Sequence, residues 1–136
     1  MNKDLQETLY QKYPAIFRQK DLDKTVSAMC WGISVGDGWY SLIDELCDNI
    51  QNRLRNVNRD KPESEHLICE AVQVKEKFGG LCFYTYGGDD YIDGLVSMAE
   101  SMSYNICAEC GNKSSPQKKR GWIYTKCTPC QEKPEE

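Results

Sequence analysis

VKEKFGGLCFY, residues Val74 to Tyr84, alternates apolar and polar side chains on either side of a glycine pair. That period of two marks a β-hairpin. A two-residue turn at Gly79 and Gly80 sets Phe78 opposite Leu81, Glu76 opposite Phe83 and Val74 opposite Thr85. Val72 joins them on the apolar side. The other face then carries Gln73, Lys75 and Lys77 on the first strand and Cys82, Tyr84 and Tyr86 on the second. Lysines so placed reach solvent, lay their stems over apolar surface or meet an anion. A plain exposed sheet face accounts for them. A sharper reading makes this a binding face: Lys75 and Lys77 for phosphate or carboxylate, Tyr84 and Tyr86 for a flat ring or a partner side chain, and Gln73 for orientation. Glu76, on the side of Phe78 and Phe83, needs a basic partner or an edge position.

Helices are expected on both sides of the hairpin. Upstream, Trp39, Leu42, Ile43, Leu46, Ile50, Leu54 and Val57 recur every three or four residues and form one apolar stripe, with Asp37 placed as the N-cap. Before it, SAMCWGISVGDGW reads as a strand closing in a glycine turn. Trp31 and Trp39 flank that turn, and packing into the core suits them better than lining a pocket. Leu5, Leu9 and Tyr13 predict a short first helix that Pro14 ends. Downstream, Gly87 to Asp90 close the hairpin. Ile92, Leu95, Val96, Ala99 and Met102 then form a third stripe, capped by Asp89 or Asp90.

The eight cysteines divide into two groups. Cys107, Cys110, Cys127 and Cys130 form two Cys-x-x-Cys pairs with 16 residues between them, inside the span of about 15 to 20 typical of a four-cysteine zinc site. Each pair makes a knuckle, and four thiolates then converge on one Zn2+. Such a site has no open position for water or substrate, so the zinc is expected to be structural. Cys30, Cys47, Cys69 and Cys82 lie scattered in apolar segments and read as buried reduced thiols. The sequence therefore predicts an α+β body over 1–106 on a small antiparallel sheet with flanking helices, a zinc-ribbon-like module over 107–130, and a flexible tail over 131–136.

A chain of 136 residues with 40% hydrophobic and 28% charged residues fits a globular protein and leaves no room for two enzymatic domains. No apolar run approaches the roughly 20 residues of a membrane span, and the N-terminus lacks a signal-peptide stretch, so a cytoplasmic protein is expected. Charge argues against broad contact with nucleic acid. Residues 1–106 carry 11 basic and 17 acidic side chains, and much of that surface repels phosphate. The module is basic: Lys113, Lys118, Lys119, Arg120 and Lys126 stand against Glu109. A nucleic-acid interface would centre on Lys118, Lys119, Arg120 and Trp122, with Trp122 and Tyr124 stacking on bases. Closing the small core of the ribbon is the better use of those two rings.

Enzymatic signatures are sparse. His66, the one histidine, lies in a polar loop. No phosphate-binding loop or dinucleotide fingerprint occurs. Asp89, Asp90 and Asp93 could hold a divalent ion for nucleotide hydrolysis, but their spacing fits no calcium loop and capping accounts for two of them. Asp44 and Glu45, adjacent on a helix, point apart.

The series GDGWYSLIDELC (36–47), VKEKFGGLCFY (74–84), AESMS (99–103), CAECG (107–111) and GWIYTKCTPC (121–130) resembles a family of small uncharacterised proteins of bacteriophages and prophages. In those proteins the position of Cys82 is often arginine, so the hairpin face here is one cation poorer. The resemblance implies a phage origin and an accessory role against the host. Together with the residues, it leads to an expected non-catalytic protein that binds a host protein or a nucleotide-like signal and counters host defence. A nucleic-acid-binding regulator is the first alternative and a carboxylate-metal nucleotide hydrolase the second.

Overall fold

The computed structural model describes residues 1–132, so the tail expected over 131–136 falls mostly outside the described residues. Four helices and two small sheets make a mixed α+β fold: α1 (Lys3–Lys12), β1 (Ile33–Ser34), α2 (Tyr40–Asn58), β2 (Cys69–Lys77), β3 (Gly80–Gly87), α3 (Asp90–Ser103), β4 (Pro116–Lys119), β5 (Trp122–Thr125) and α4 (Thr128–Gln131). The main sheet has the order β1-β2-β3 and the second pairs β4 with β5. β2 and β3 are antiparallel, but β1 runs parallel to β2 with Ile33 beside Val74. The sheet is therefore mixed, not wholly antiparallel as expected.

Three local expectations are corrected. SAMCWGISVGDGW is not one strand: 310 turns at Ala28–Trp31 and Asp37–Trp39 bracket the two residues of β1. Gly32, at φ 79, sits between the first turn and the strand. Its position lets the Ile33 N–H donate to Gln6 Oε1 at 2.8 Å, an arrangement that a period-two reading does not register. Trp39 is fully buried, whereas Trp31 is 70% exposed. Asp37 caps no helix: its carboxylate accepts from the Asn2 backbone N–H at 2.6 Å and from Asn2 Nδ2 at 3.0 Å. Asn2 in turn caps α1 through the Leu5 N–H.

The stripes largely hold. Leu42, Ile43, Leu46 and Ile50 of α2, Ile92 and Ala99 of α3, and Val74, Leu81 and Phe83 of the hairpin share one core with Leu9, Phe17 and Trp39. Met102 leaves that stripe and is 45% exposed, because α3 ends one residue later. Cys47 and Cys69 are buried as expected, Cys82 is half-buried, and Cys30 is exposed.

Beside the core, buried Glu70 accepts two bonds from Arg18, at 2.7 and 2.9 Å, and one from Gln19 Nε2 at 3.0 Å. The Arg18 guanidinium holds this carboxyl below its ordinary value although burial pushes it up, and Gln19 adds to the lowering. A depressed pKa contributes stability that is present above the unfolded value of about 4 and lost as pH falls through the folded one. Glu70→Gln is therefore expected to lower stability at pH 7 by on the order of 1–2 kcal/mol. The gap to the parent should shrink near pH 3, as measured by urea unfolding at both pH values.

Candidate metal centre and sheet face

The two cysteine pairs meet at one point although 16 residues separate them. All four Sγ atoms of Cys107, Cys110, Cys127 and Cys130 lie within 4.8 Å of one another, and those of Cys110 and Cys127 are 3.4 Å apart. Sulfurs around a tetrahedral ion with bonds of about 2.3 Å stand about 3.8 Å from each other, so the donor set can hold a metal ion. The knuckles are built by the backbone: the Gly111 N–H donates to the Cys107 carbonyl at 2.9 Å, and the Cys130 N–H to the Cys127 carbonyl at 3.1 Å. Gly111 takes φ 84, where a side chain would be strained. Burial pushes the Cys107 thiol up, but backbone N–H groups of Cys127, Cys110 and Glu109 outweigh it and bring it down to about 6. That inclination to ionise suits a thiolate ligand, whereas burial and the neighbouring thiols push Cys130 up to about 12. Cys110 is raised as well: the Asn112 backbone N–H pulls it down, but the Cys127 thiol and burial together outweigh that pull. Among the described residues, this is the only set of three or more His, Cys, Asp or Glu side chains able to converge on an ion.

The GDGW segment clasps the first knuckle, a role its glycines did not announce. The Gly38 N–H donates to the Ala108 carbonyl at 2.9 Å, and Trp39 Nε1 donates to the Ile106 carbonyl at 2.8 Å. A Cβ on Gly36 would stand 2.0 Å from the Ala108 oxygen, and one on Gly38 2.1 Å from the Cys107 oxygen. Only glycine lets these two backbones approach so closely.

The second glycine pair makes a matching joint. The hairpin turn is centred on Phe78 and Gly79, at φ 52 and 82, as the pairing of Lys77 with Gly80 shows. Buried Thr125 of β5 donates from Oγ1 to the Gly79 carbonyl at 2.6 Å. A Cβ on Gly80 would enter the Tyr104 ring at 2.4 Å. Both glycines are thus used against the end of α3 and the cysteine module. Phe78 consequently leaves the core face assigned to it and is 68% exposed.

The predicted pairings are corrected accordingly: Val74 faces Phe83, and Glu76 faces Leu81. Partners move by two residues, so the paired side chains from Gln73 to Glu76 keep the faces assigned to them. A bulge between Ala71 and Gln73 interrupts this alternation, and Val72 is half-buried instead of joining the core. Glu76 lies near the hairpin tip with much of its surface exposed. Partial desolvation nevertheless raises its carboxyl, while Lys126 of the module pulls the other way.

Gln73, Lys75, Lys77, Tyr84 and Tyr86 do share one face of the sheet. Tyr84 is 42% and Tyr86 61% exposed; Lys77 is exposed, and Gln73 and Lys75 are half-exposed. Lys75 Nζ stands 5.9 Å from the Tyr84 ring centre, within cation–π range. On β3, the Tyr84 hydroxyl and the Cys82 thiol lie side by side, and this contact raises the phenol above its ordinary value.

Between its two cysteine pairs the module carries a second hairpin that the sequence reading did not contain. Its turn, Arg120 and Gly121, takes φ 52 and 84, and Arg-Gly was a weaker signal than Asn-Gly would have been. Thr125 and Ile123 turn toward Gly79. Lys119 and Trp122 lie directly opposite each other, and Trp122 is 77% exposed. Trp122 therefore closes no ribbon core, contrary to expectation. Lys118, Lys119 and Arg120 are exposed beside it.

The remaining candidates are occupied elsewhere. Asp89 caps α3 through the Ile92 N–H at 3.0 Å and pairs with Arg53 at 3.0 Å. Asp44 accepts from Lys12 Nζ and from the Tyr13 hydroxyl, both at 2.6 Å, while Glu45 takes Asn49 Nδ2 at 3.3 Å. His66 is exposed and donates from Nε2 to the Lys61 carbonyl at 2.9 Å. No described helix is long and apolar enough to cross a membrane. No family model, curated protein or solved structure matches the chain.

Proposed function

We propose that this chain is a non-catalytic binding protein: a structural Zn2+ on Cys107, Cys110, Cys127 and Cys130 steadies a zinc-ribbon-like end, and the outer face of β2 and β3 contacts a protein partner. The observation that carries this reading is the pair Tyr84 and Tyr86, left in solvent at 42% and 61% beside Lys75 and Lys77. Exposed tyrosines within a polar rim match the anatomy of a contact surface. The face belongs to a sheet, which suits an acidic protein surface better than an engulfed nucleotide. The resemblance to phage proteins supplies the setting, a host protein whose defensive role the chain counters, in the cytoplasm of the infected cell.

A second reading keeps its place because Trp122 is exposed opposite Lys119. A single-stranded nucleic acid could stack on that ring while Lys118 and Arg120 hold phosphates. The tests differ by variant. Lys75→Glu with Lys77→Glu is expected to abolish recovery of a protein partner from host lysate, with the melting temperature unchanged. Lys118→Glu, Lys119→Glu and Arg120→Glu together should leave that recovery intact. If the second set alone matters, and nucleic acid is recovered with a steep dependence on salt, the ribbon reading replaces the sheet-face one.

A further inference from the structure

Between the C-terminal half of α2 and the start of β2 lies a cleft of about 560 Å³ that none of the sequence motifs indicated. Its volume falls in the small-ligand range of about 300–1,000 Å³. Ile16, Leu54 and Leu67 give it an aliphatic floor, and Arg18, Arg55 and Arg59 contribute cations to its lining. Arg55 lies in the last turn of α2 and Arg59 at its C-cap, four residues on, and both line the cleft. Neither has a carboxylate within ion-pair reach among the described residues. Arg55 donates to Asn52 Oδ1 at 2.9 Å, and Arg59 to Asn56 Oδ1 at 3.2 Å. Glu70, the one carboxylate in the lining, is already paired with Arg18 and also accepts from Gln19. The cleft is thus left with two cations that have only neutral amide partners, above an apolar floor.

We infer that this cleft binds a small organic phosphate monoester, with the phosphate on Arg55 and Arg59 and the carbon body on the floor. Guanidinium forks match a phosphate dianion bidentately, where a lysine would offer only a point charge. The floor holds no aromatic ring, so the body is gripped by aliphatic contact rather than by stacking. His66 borders the cleft, and its Nε2–H is held by the Lys61 carbonyl. This site stands apart from the sheet face, and either assignment can fail without the other.

The test titrates the full chain with phenyl phosphate, adenosine 5′-monophosphate, inorganic phosphate, phenol and adenosine, by calorimetry and amide chemical shifts. Saturable binding of at least one ester is expected, with shifts grouped on residues 51–59 and 66–70. Phenol and adenosine should not saturate, and inorganic phosphate should bind at least tenfold more weakly than that ester. Arg55→Gln with Arg59→Gln is expected to weaken ester binding at least tenfold at unchanged melting temperature, whereas Lys75→Glu with Lys77→Glu should leave it as it was. Failure of both esters to saturate overturns the assignment. So does equal affinity in the double arginine variant, or inorganic phosphate binding as tightly as the better ester.

Discussion

One zinc ion per chain is expected in purified protein, and stripping it should dissolve the structure of residues 107–130 while most of the helical signal survives. The magnitude follows from what else holds that module. Its β4–β5 hairpin has two strands of four residues, and an isolated two-stranded hairpin is marginal in water. Its buried side chains are few, with Cys107, Ala108, Thr125 and Cys130 leading. Structural zinc contributes on the order of 10–16 kcal/mol at neutral pH, as much as a whole domain's net stability of about 5–15. Without the metal, four thiols crowd together with nothing to bind. Cys127→Ser with Cys130→Ser should therefore abolish metal content, release the KKRG segment from its hairpin so that trypsin cleaves there faster, and collapse amide protection from 107 to 130. The helices α1 and α2 pack into the core through Leu9, Leu42, Ile43 and Ile50, so far-UV circular dichroism should change little. An apo protein with undiminished protection in the module would show that backbone contacts suffice and that the metal is dispensable.

Side-chain period and turn chemistry differ in how much they disclose, and the hairpin shows why. Alternation is a property of each strand alone, so Lys75, Tyr84 and their neighbours could be placed on one face from sequence. The turn is decided by contacts that come from afar. Gly79 and Gly80 look like a turn pair, yet Gly80 is needed against the Tyr104 ring and Gly79 against Thr125. The turn moves back by one residue, and Phe78 accepts a positive φ in consequence. The cysteine cluster was legible because its spacing encodes its geometry. The clasp on it was not: GDG reads locally as a turn, and its partner Ala108 lies about seventy residues away. Trp31 and Trp122 were misplaced because a large ring is ordinarily buried, and nothing local marks the two that remain in solvent. The arginine cleft needed the fold itself, since α2 and β2 meet there only after the chain has doubled back.

A methyl group at Gly38 is expected to destabilise the protein by about 3 kcal/mol or more and to weaken its hold on zinc, whereas the same methyl at Gly94 should be neutral or stabilising. The contrast isolates sterics from backbone entropy. At Gly38 the new Cβ would lie 2.1 Å from the Cys107 oxygen and 2.6 Å from the Gly111 nitrogen. Both atoms are backbone of the metal knuckle, so neither can swing aside as a side chain would. Overpacking costs about 1–3 kcal/mol where neighbours can shift, and more where they cannot. Relief requires moving the Cys107–Gly111 loop, which also breaks the Gly38 N–H bond to the Ala108 carbonyl. Gly80→Ala should fall between the two, because its 2.4 Å clash is with the Tyr104 ring, a side chain with some freedom to turn. Gly94 lies inside α3 with nothing within 4 Å of its would-be Cβ, and alanine there gains about 0.5–1 kcal/mol of helix propensity. Urea unfolding at fixed zinc gives the order of stabilities, and competition with a chromophoric chelator gives the metal affinity. A Gly38→Ala protein within about 0.5 kcal/mol of the parent, below the cost expected of overpacking, would mean that close approach at Gly38 is not what clasps the knuckle, and that the hairpin joint at Gly79 and Gly80 carries more of the contact between body and module.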